Sequence, residues 1–160
     1  MEKSKKNSSN KVITTNRKTR HDYHIFDSIE AGITLTGTEV KSIREGKASL
    51  VDSYAKIEKG EAWLLNVHIP EFKQGSFFNH EPRRKRKLLL HKSQIIKLEN
   101  KIEEKGFTLI PLKLYFKGPY IKVELGICRG KKQYDKRTAL KEREAKREIE
   151  RNLAARNRNY

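Results

Sequence analysis

Thr108-Leu-Ile-Pro-Leu-Lys-Leu-Tyr-Phe-Lys-Gly-Pro-Tyr-Ile-Lys-Val-Glu-Leu-Gly-Ile-Cys128 is the stretch that decides the fold. Two runs rich in Leu, Ile, Val and Tyr flank Gly118-Pro119, which predicts a long antiparallel hairpin of Thr108–Lys117 and Tyr120–Cys128. Upstream, Ser53–Glu58 and Glu61–Val67 predict a second hairpin that turns at Lys59-Gly60. Val12-Ile13-Thr14-Thr15 is a β-branched run where ordered structure starts. Tyr23–Leu35 mixes alternating apolar residues with Gly32 and reads as extended. Several short antiparallel strands within about 110 residues favour a small barrel or sandwich, and periodicity does not choose among barrels.

Two helices interrupt the strands. Thr36-Gly-Thr-Glu39 has capping-box spacing and opens a short helix through Val40, Ile43 and Arg44, which Gly46 ends. In His91–Lys105, Ile95, Leu98 and Ile102 recur at helical spacing, with Gly106 as terminator. Pro70–Arg86 lacks periodicity and is the longest expected loop. It contains Arg83-Arg-Lys-Arg-Lys87, which has three readings: a phosphate contact, a solvated loop or a nuclear-import tract. In Leu88-Leu89-Leu90 the ordinary expectation is three core residues; one turned outward would offer apolar contact to a base or ribose.

The 160 residues carry a formal charge of +17, and the excess is uneven. Residues 21–128 hold eighteen basic and fourteen acidic residues, close to balance. Residues 1–20 hold seven against one, and residues 129–160 twelve against five. Residues 1–11 are polar and low in complexity, a disordered basic arm by composition. The tail, 130–160, has only Leu140, Ile149 and Leu153 as large aliphatics. Three such side chains do not offset backbone ordering at about 1–2 kcal/mol per residue, so an external polyanionic surface must order this tail. From Asp135 onward Ala, Leu, Glu, Lys and Arg dominate, and Arg143, Arg147 and Arg151 recur every four residues as one basic stripe. A basic chain with basic ends points to nucleic acid first.

Other classes fit poorly. No apolar run approaches the ~20 residues that span a bilayer, and no hydrophobic region follows the N-terminal charges as a secretory signal requires. Cys128 alone makes no internal disulfide or multi-cysteine zinc site, which fits a reducing cytoplasm. No phosphate-loop motif occurs, since Gly46-Lys47 is followed by Ala48. Of five histidines only His21 and His24 lie close together, without a nearby cysteine, so no metal is expected. No nucleophile–base constellation can be assigned, and no cofactor is expected.

Three ordered motifs carry a resemblance. Glu30-Ala-Gly-Ile-Thr-Leu-Thr-Gly-Thr-Glu-Val-Lys-Ser-Ile-Arg-Glu-Gly-Lys47, Arg86-Lys-Leu-Leu-Leu-His91 and Gly130-Lys-Lys-Gln-Tyr-Asp-Lys-Arg137 resemble the signatures of small protein B, the SsrA-binding proteins of bacterial trans-translation. The likeness extends from Val12 to the C-terminus. It implies a mainly β fold with flanking helices: an OB-like antiparallel barrel over residues 12–129 that binds RNA, and a basic tail over 130–160 that is disordered when free and helical on the ribosome. It implies a non-enzymatic adaptor for the tRNA-like domain of transfer-messenger RNA, delivered to ribosomes stalled without a stop codon. Such a protein stands in for an anticodon arm at the decoding centre while its tail occupies the empty messenger channel. Elongation factor Tu would be engaged indirectly, through the aminoacylated RNA. A cytoplasmic monomer without membrane contact is expected.

The same resemblance assigns residues. Asn16, Glu30 and Leu89 stand at RNA-facing positions. A carboxylate accepts from base amino and imino groups, a leucine packs on an unstacked base, and an asparagine both donates and accepts. Arg20, Lys41, Arg44 and Lys131 would contact phosphate. Lys132, Tyr134, Asp135, Lys136 and Arg137, with Arg143, Arg147 and Arg151, would face the ribosome. Tyr134 stands where some members carry histidine, and either ring can stack. A generic OB-type RNA chaperone or ribosomal accessory protein explains the charge and the barrel, but not three ordered motifs. A nucleic-acid-processing enzyme would need a carboxylate cluster or nucleophile that is not found.

Overall fold

The computed structural model describes residues 10–158, apart from the side chains of Ser76, Gln133, Tyr134 and Arg158. The elements in chain order are β1 (Lys11–Thr15), α1 (Arg17–Asp22), β2 (Tyr23–Ile33), α2 (Gly37–Arg44), β3 (Tyr54–Glu58), β4 (Glu61–Leu65), a 3-10 turn (Ser76–Phe78), β5 (Arg86–Leu89), α3 (Lys92–Lys105), β6 (Thr108–Lys117), β7 (Tyr120–Gly130) and α4 (Gln133–Arg158). Residues 1–9 of the expected N-terminal arm lie outside the described residues, and Lys11 already belongs to β1.

Every strand pairing is antiparallel. The sheet order is β1-β6-β3-β4-β5-β2-β7, and β6 also pairs with β7, so the pairings run in a circuit with β1 on the outer flank of β6. The mainly antiparallel sheet with flanking helices is therefore as expected. Leu64, Leu88, Leu109, Leu114, Val123 and Leu125 fill its interior, with Ile43 from α2 and Leu98 from α3 packed against them.

Both predicted hairpins form, and their turns follow from backbone chemistry. Lys59 and Gly60 both have positive φ (50° and 74°), the requirement of a type I′ connection. At the other tip Gly118 has φ 58° and precedes Pro119, whose ring fixes a negative φ; this order is the one a type II′ turn uses. Strand β6 carries a proline in its middle, and a proline cannot donate to the ladder. The register shifts between Pro111 and Lys113. The carbonyls freed there are met by Asn16: its backbone N–H donates to the Leu112 oxygen at 2.7 Å, and its side-chain Nδ2 to the Pro111 oxygen at 3.2 Å.

Helix α2 begins where the capping box predicts, with the Thr36 N–H donating to the Glu39 carboxylate at 3.0 Å. Helix α3 ends on Gly106 in the left-handed region, its N–H donating to the Ile102 oxygen at 3.1 Å. Two elements depart from the sequence reading. Arg17–Asp22 forms α1, a helix with one buried side chain, Thr19, and so no apolar periodicity to reveal it. Arg86–Leu89 is β5, not the end of a loop; it lies between β4 and β2. Strand alternation then buries Leu88 and turns Leu89 outward, 55% exposed, so the expectation of three core leucines fails there.

Candidate nucleic-acid interface

Three surfaces gather the residues singled out by sequence. The first is a shallow groove of about 960 Å³ over β2, β5 and the β3–β4 turn, lined by Glu30, Gly32, Lys87, Leu89, His91 and Lys122 among others. Leu89 lies against Gly32 so closely that a Cβ on Gly32 would stand 3.0 Å from the Leu89 Cβ. The missing side chain lets the leucine sit flat on the sheet. Glu30 is partly exposed beside it. The Tyr115 hydroxyl and the Lys117 ammonium (2.8 Å) both donate to its carboxylate. The Lys117 bond first, then the Tyr115 bond, hold Glu30 below the usual carboxylate range, while burial and the Glu30 bond push Tyr115 up. An ionised, oriented carboxylate next to an outward leucine can accept hydrogen bonds from base edges while the leucine covers a base face.

The second surface is the cleft between α1 and the start of α4, where Arg17, Arg20, Lys131 and Arg143 converge around Leu140. Arg20 and Lys131 also line the adjoining groove, with Asn16, Tyr23 and Lys113. Lys131 is fixed at both ends of its residue: its N–H donates to the Asp22 oxygen at 2.9 Å and its Nζ to the Arg20 oxygen at 3.2 Å. Asp22 in turn sits 2.8 Å from the His21 Nδ1 and 3.5 Å from Lys136 Nζ. Its carboxyl is held low, first by the His21 hydrogen bond. Asp135 approaches His24 at 3.6 Å. Asp135 and Lys136 thus moor the first turn of α4 to the β2 end of the sheet, and Arg137, Arg143, Arg147 and Arg151 beyond them are exposed. Lys132 is exposed just before the helix, and the Tyr134 side chain lies outside what is described.

The third surface is α2, where Lys41 and Arg44 are exposed one turn apart. Asn16 differs from the rest of the set. It is 6% exposed, and both hydrogens of its amide go to backbone carbonyls, of Leu50 (3.1 Å) and Pro111 (3.2 Å). Its geometry ties α1 to the β6 bulge.

The sequence reading passed over Lys122 and Arg17, and weighed His21 with His24 only in asking for a metal. Lys122 pairs in register with Gly32, so the β2–β7 alignment places it beside Glu30 and Leu89. Arg17 and His21 were hidden with the helix that presents them. The Arg83–Lys87 run, in contrast, is largely spent inside the protein. Arg86 is fully buried and donates to Glu39 at 2.9 Å and to the Val67 oxygen at 2.8 Å; Arg84 reaches the same carboxylate at 2.7 Å. Burial raises Glu39, but the Arg84 hydrogen bond, the Thr36 N–H and the charges of Arg86 and Arg84 outweigh it and hold the carboxyl low. Lys85 pairs with Glu58 and lies over the Trp63 ring, and Lys87 pairs with Glu61. The described residues hold no cluster of metal ligands and no helix long and apolar enough to cross a membrane.

A small antiparallel β protein with helices at its rim and cations around its grooves defines a class, the compact basic binding module. The SmpB protein family matches residues 13–155. The SsrA-binding protein of Acidothermus cellulolyticus is 62% identical over 149 residues, covering 93% of this chain and 94% of that relative. The SsrA-binding protein of Carboxydothermus hydrogenoformans is 60% identical over 146 residues, covering 91% and 98%. A chain in a solved structure described as "tmRNA-SmpB: a journey to the center of the bacterial ribosome" is 53% identical, with a TM-score of 0.63 over 75% of this chain and 85% of its own. This chain belongs to the SmpB family.

Proposed function

We propose that this protein binds the tRNA-like domain of transfer-messenger RNA and carries it to stalled ribosomes for trans-translation. The observation that carries the reading is the pairing of outward Leu89 with ionised Glu30 in one groove, in a chain of the SmpB family. The sheet acts as an OB-like RNA-binding barrel over residues 12–129. Arg20, Lys131, Lys41 and Arg44 position phosphates, and Asn16 shapes the surface from beneath. The protein works as an adaptor and not as an enzyme, as a cytoplasmic monomer that meets elongation factor Tu only through the aminoacylated RNA.

The tail is the ribosomal half of this reading. Leu140, Ile149 and Leu153 on α4 are all more than a third exposed, so the helix has almost no apolar surface to hold it against the sheet. With so little packing of its own, α4 is held in place only when it lies along ribosomal RNA in a vacant messenger channel, beside the decoding centre.

The test is the affinity of Glu30→Ala for a tRNA-like RNA, by filter binding at fixed salt. About a tenfold loss is expected although the variant is more basic, since a good base contact contributes about 1–3 kcal/mol. Equal or tighter binding would make Glu30 a partner of Tyr115 and Lys117 and nothing more.

A further inference from the structure

Phe77 and Phe78 are the two most exposed large apolar side chains among the described residues, at 97% and 90%. They sit on the 3-10 turn of the loop between β4 and β5, and neither lines the groove of Glu30 and Leu89. The loop is closed at its neck. The Phe72 N–H donates to the Asn79 Oδ1 at 2.9 Å, and the Asn79 Nδ2 donates back to the Phe72 oxygen at 2.7 Å. The Gly75 N–H donates to the same oxygen at 2.8 Å, and a Cβ on Gly75 would stand 2.8 Å from the Asn79 Nδ2. The neck is tight enough to need glycine there. The two phenyl rings are therefore held out from a tightly closed loop.

The closed loop is fastened to α2. The Ser42 hydroxyl donates to the Pro70 oxygen at 2.7 Å, Thr38 Oγ1 meets His80 Nδ1 at 2.9 Å, and Lys41 lies 5.5 Å over the Phe72 ring. His80 is itself buried, its Nε2 at 2.8 Å from the Ile69 oxygen. Loop and helix thus form one body that shows two bare aromatic rings and the cations Lys41 and Arg44. On the loop itself the exposed Lys73 and Arg83 are balanced by Glu71 and Glu81, so the net positive charge of this body comes from Lys41 and Arg44. An apolar protein partner would call for further apolar side chains on the loop; its exposed residues before the turn are Glu71, Lys73 and Gln74. Aromatic faces beside cations are what unpaired nucleotides bind, because every base has a face to stack and every nucleotide a phosphate.

We propose that Phe77 and Phe78 form a stacking platform for unpaired bases of the bound RNA, with Lys41 and Arg44 of α2 holding the neighbouring phosphates. The platform deepens the RNA-binding reading and rests on it. It is a second contact, set apart from the Glu30–Leu89 groove and blind to base identity.

The test uses the full-length protein and fluorescence anisotropy with two probes, a labelled single-stranded oligoribonucleotide and its blunt-ended duplex. The double variant Phe77→Ala, Phe78→Ala is expected to bind the single strand about tenfold more weakly, with duplex binding and melting temperature unchanged. Tryptophan at both positions should restore the affinity and leucine should not. Three results would overturn the platform: unchanged single-strand affinity, full restoration by leucine, or loss of self-association in sedimentation with RNA binding intact, which would make the rings a contact between copies. If the native protein fails to bind the tRNA-like RNA while the phenylalanine variant loses the single strand that the native protein holds, the proposed function falls and the platform stands. The reverse pair of results removes only the platform.

Discussion

Arg83–Lys87 and the arginines of α4 look alike as letters and differ in how their charge is used. In the first run Arg84 and Arg86 converge on Glu39, Lys85 is held by Glu58 and Trp63, and Lys87 by Glu61; only Arg83 has no ion-pair partner among the described residues. On α4, Arg137, Arg143, Arg147 and Arg151 are exposed without an ion pair among those residues. The two regions differ in where acids fall in the fold. Glu39 lies 47 residues from Arg86 in sequence and in contact with it in space. A dense basic run is therefore poor evidence for a phosphate site until its carboxylates are located, and a sparser stripe whose arginines form no ion pair among the described residues is better evidence.

The sharpest way to break this contrast is at Glu39. Glu39→Gln leaves Arg86 buried without its counter-charge, and a loss of about 3–5 kcal/mol is expected by chemical denaturation. The sign of the pH effect follows from the same site. Glu39 titrates below its ordinary 4.5 in the folded state, so its contribution is complete above that pH and fades as pH falls through the folded-state value. The native protein should lose stability in that acid window, and Glu39→Gln should be flatter across it. A variant with native stability, or the native acid slope, would show that the buried ions do not hold the β5 region.

A smaller and different effect is expected on α4. Replacing Arg143, Arg147 and Arg151 by glutamine should leave the melting temperature unchanged. Cosedimentation with message-free ribosomes should become less salt-sensitive, with a log–log slope shallower by about 2–3 units if each arginine neutralises one phosphate. An unchanged slope would place those cations off the RNA. The smallest effect belongs to Lys85→Met, which gives up an exposed ion pair and the ammonium's place over the Trp63 ring. No more than a marginal shift in melting temperature is expected, because exposed pairs and exposed cation–π contacts contribute little. A clear drop would mean that the outer half of the basic run matters as much as the buried half.

Much of the fold was legible because its signals are local. The apolar runs of Thr108–Cys128 around Gly118-Pro119, the Lys59-Gly60 turn, the Thr36–Glu39 box and Gly106 each act within a few residues, and each element formed. The failures were long-range or too short to carry a pattern. Helix α1 buries only Thr19, so six residues without an apolar face read as nothing. Strand β5 opens with charged residues because its arginine faces inward, which no periodicity scale rewards. Of the candidate site, Lys41, Arg44 and the α4 stripe are exposed, and Leu89 turns outward against the ordinary expectation of three core leucines, as only the family resemblance anticipated. The burial of Asn16 was out of reach, because it depends on a bulge in β6 that Pro111 causes 95 residues away. Phe77 and Phe78 drew no attention in a loop without periodicity; two adjacent aromatics in a polar segment were the signal available.

Helix α4 also has mechanical meaning. Its 26 residues, fully helical, extend about 39 Å from the first turn that Asp135 and Lys136 moor beside His24 and Asp22. A 10° swing at that base carries the far end through about 7 Å, more than one helical turn. The mooring ion pairs therefore act as a fulcrum: small changes at His24 or Asp22 would set where Arg151 arrives, although neither residue comes near it.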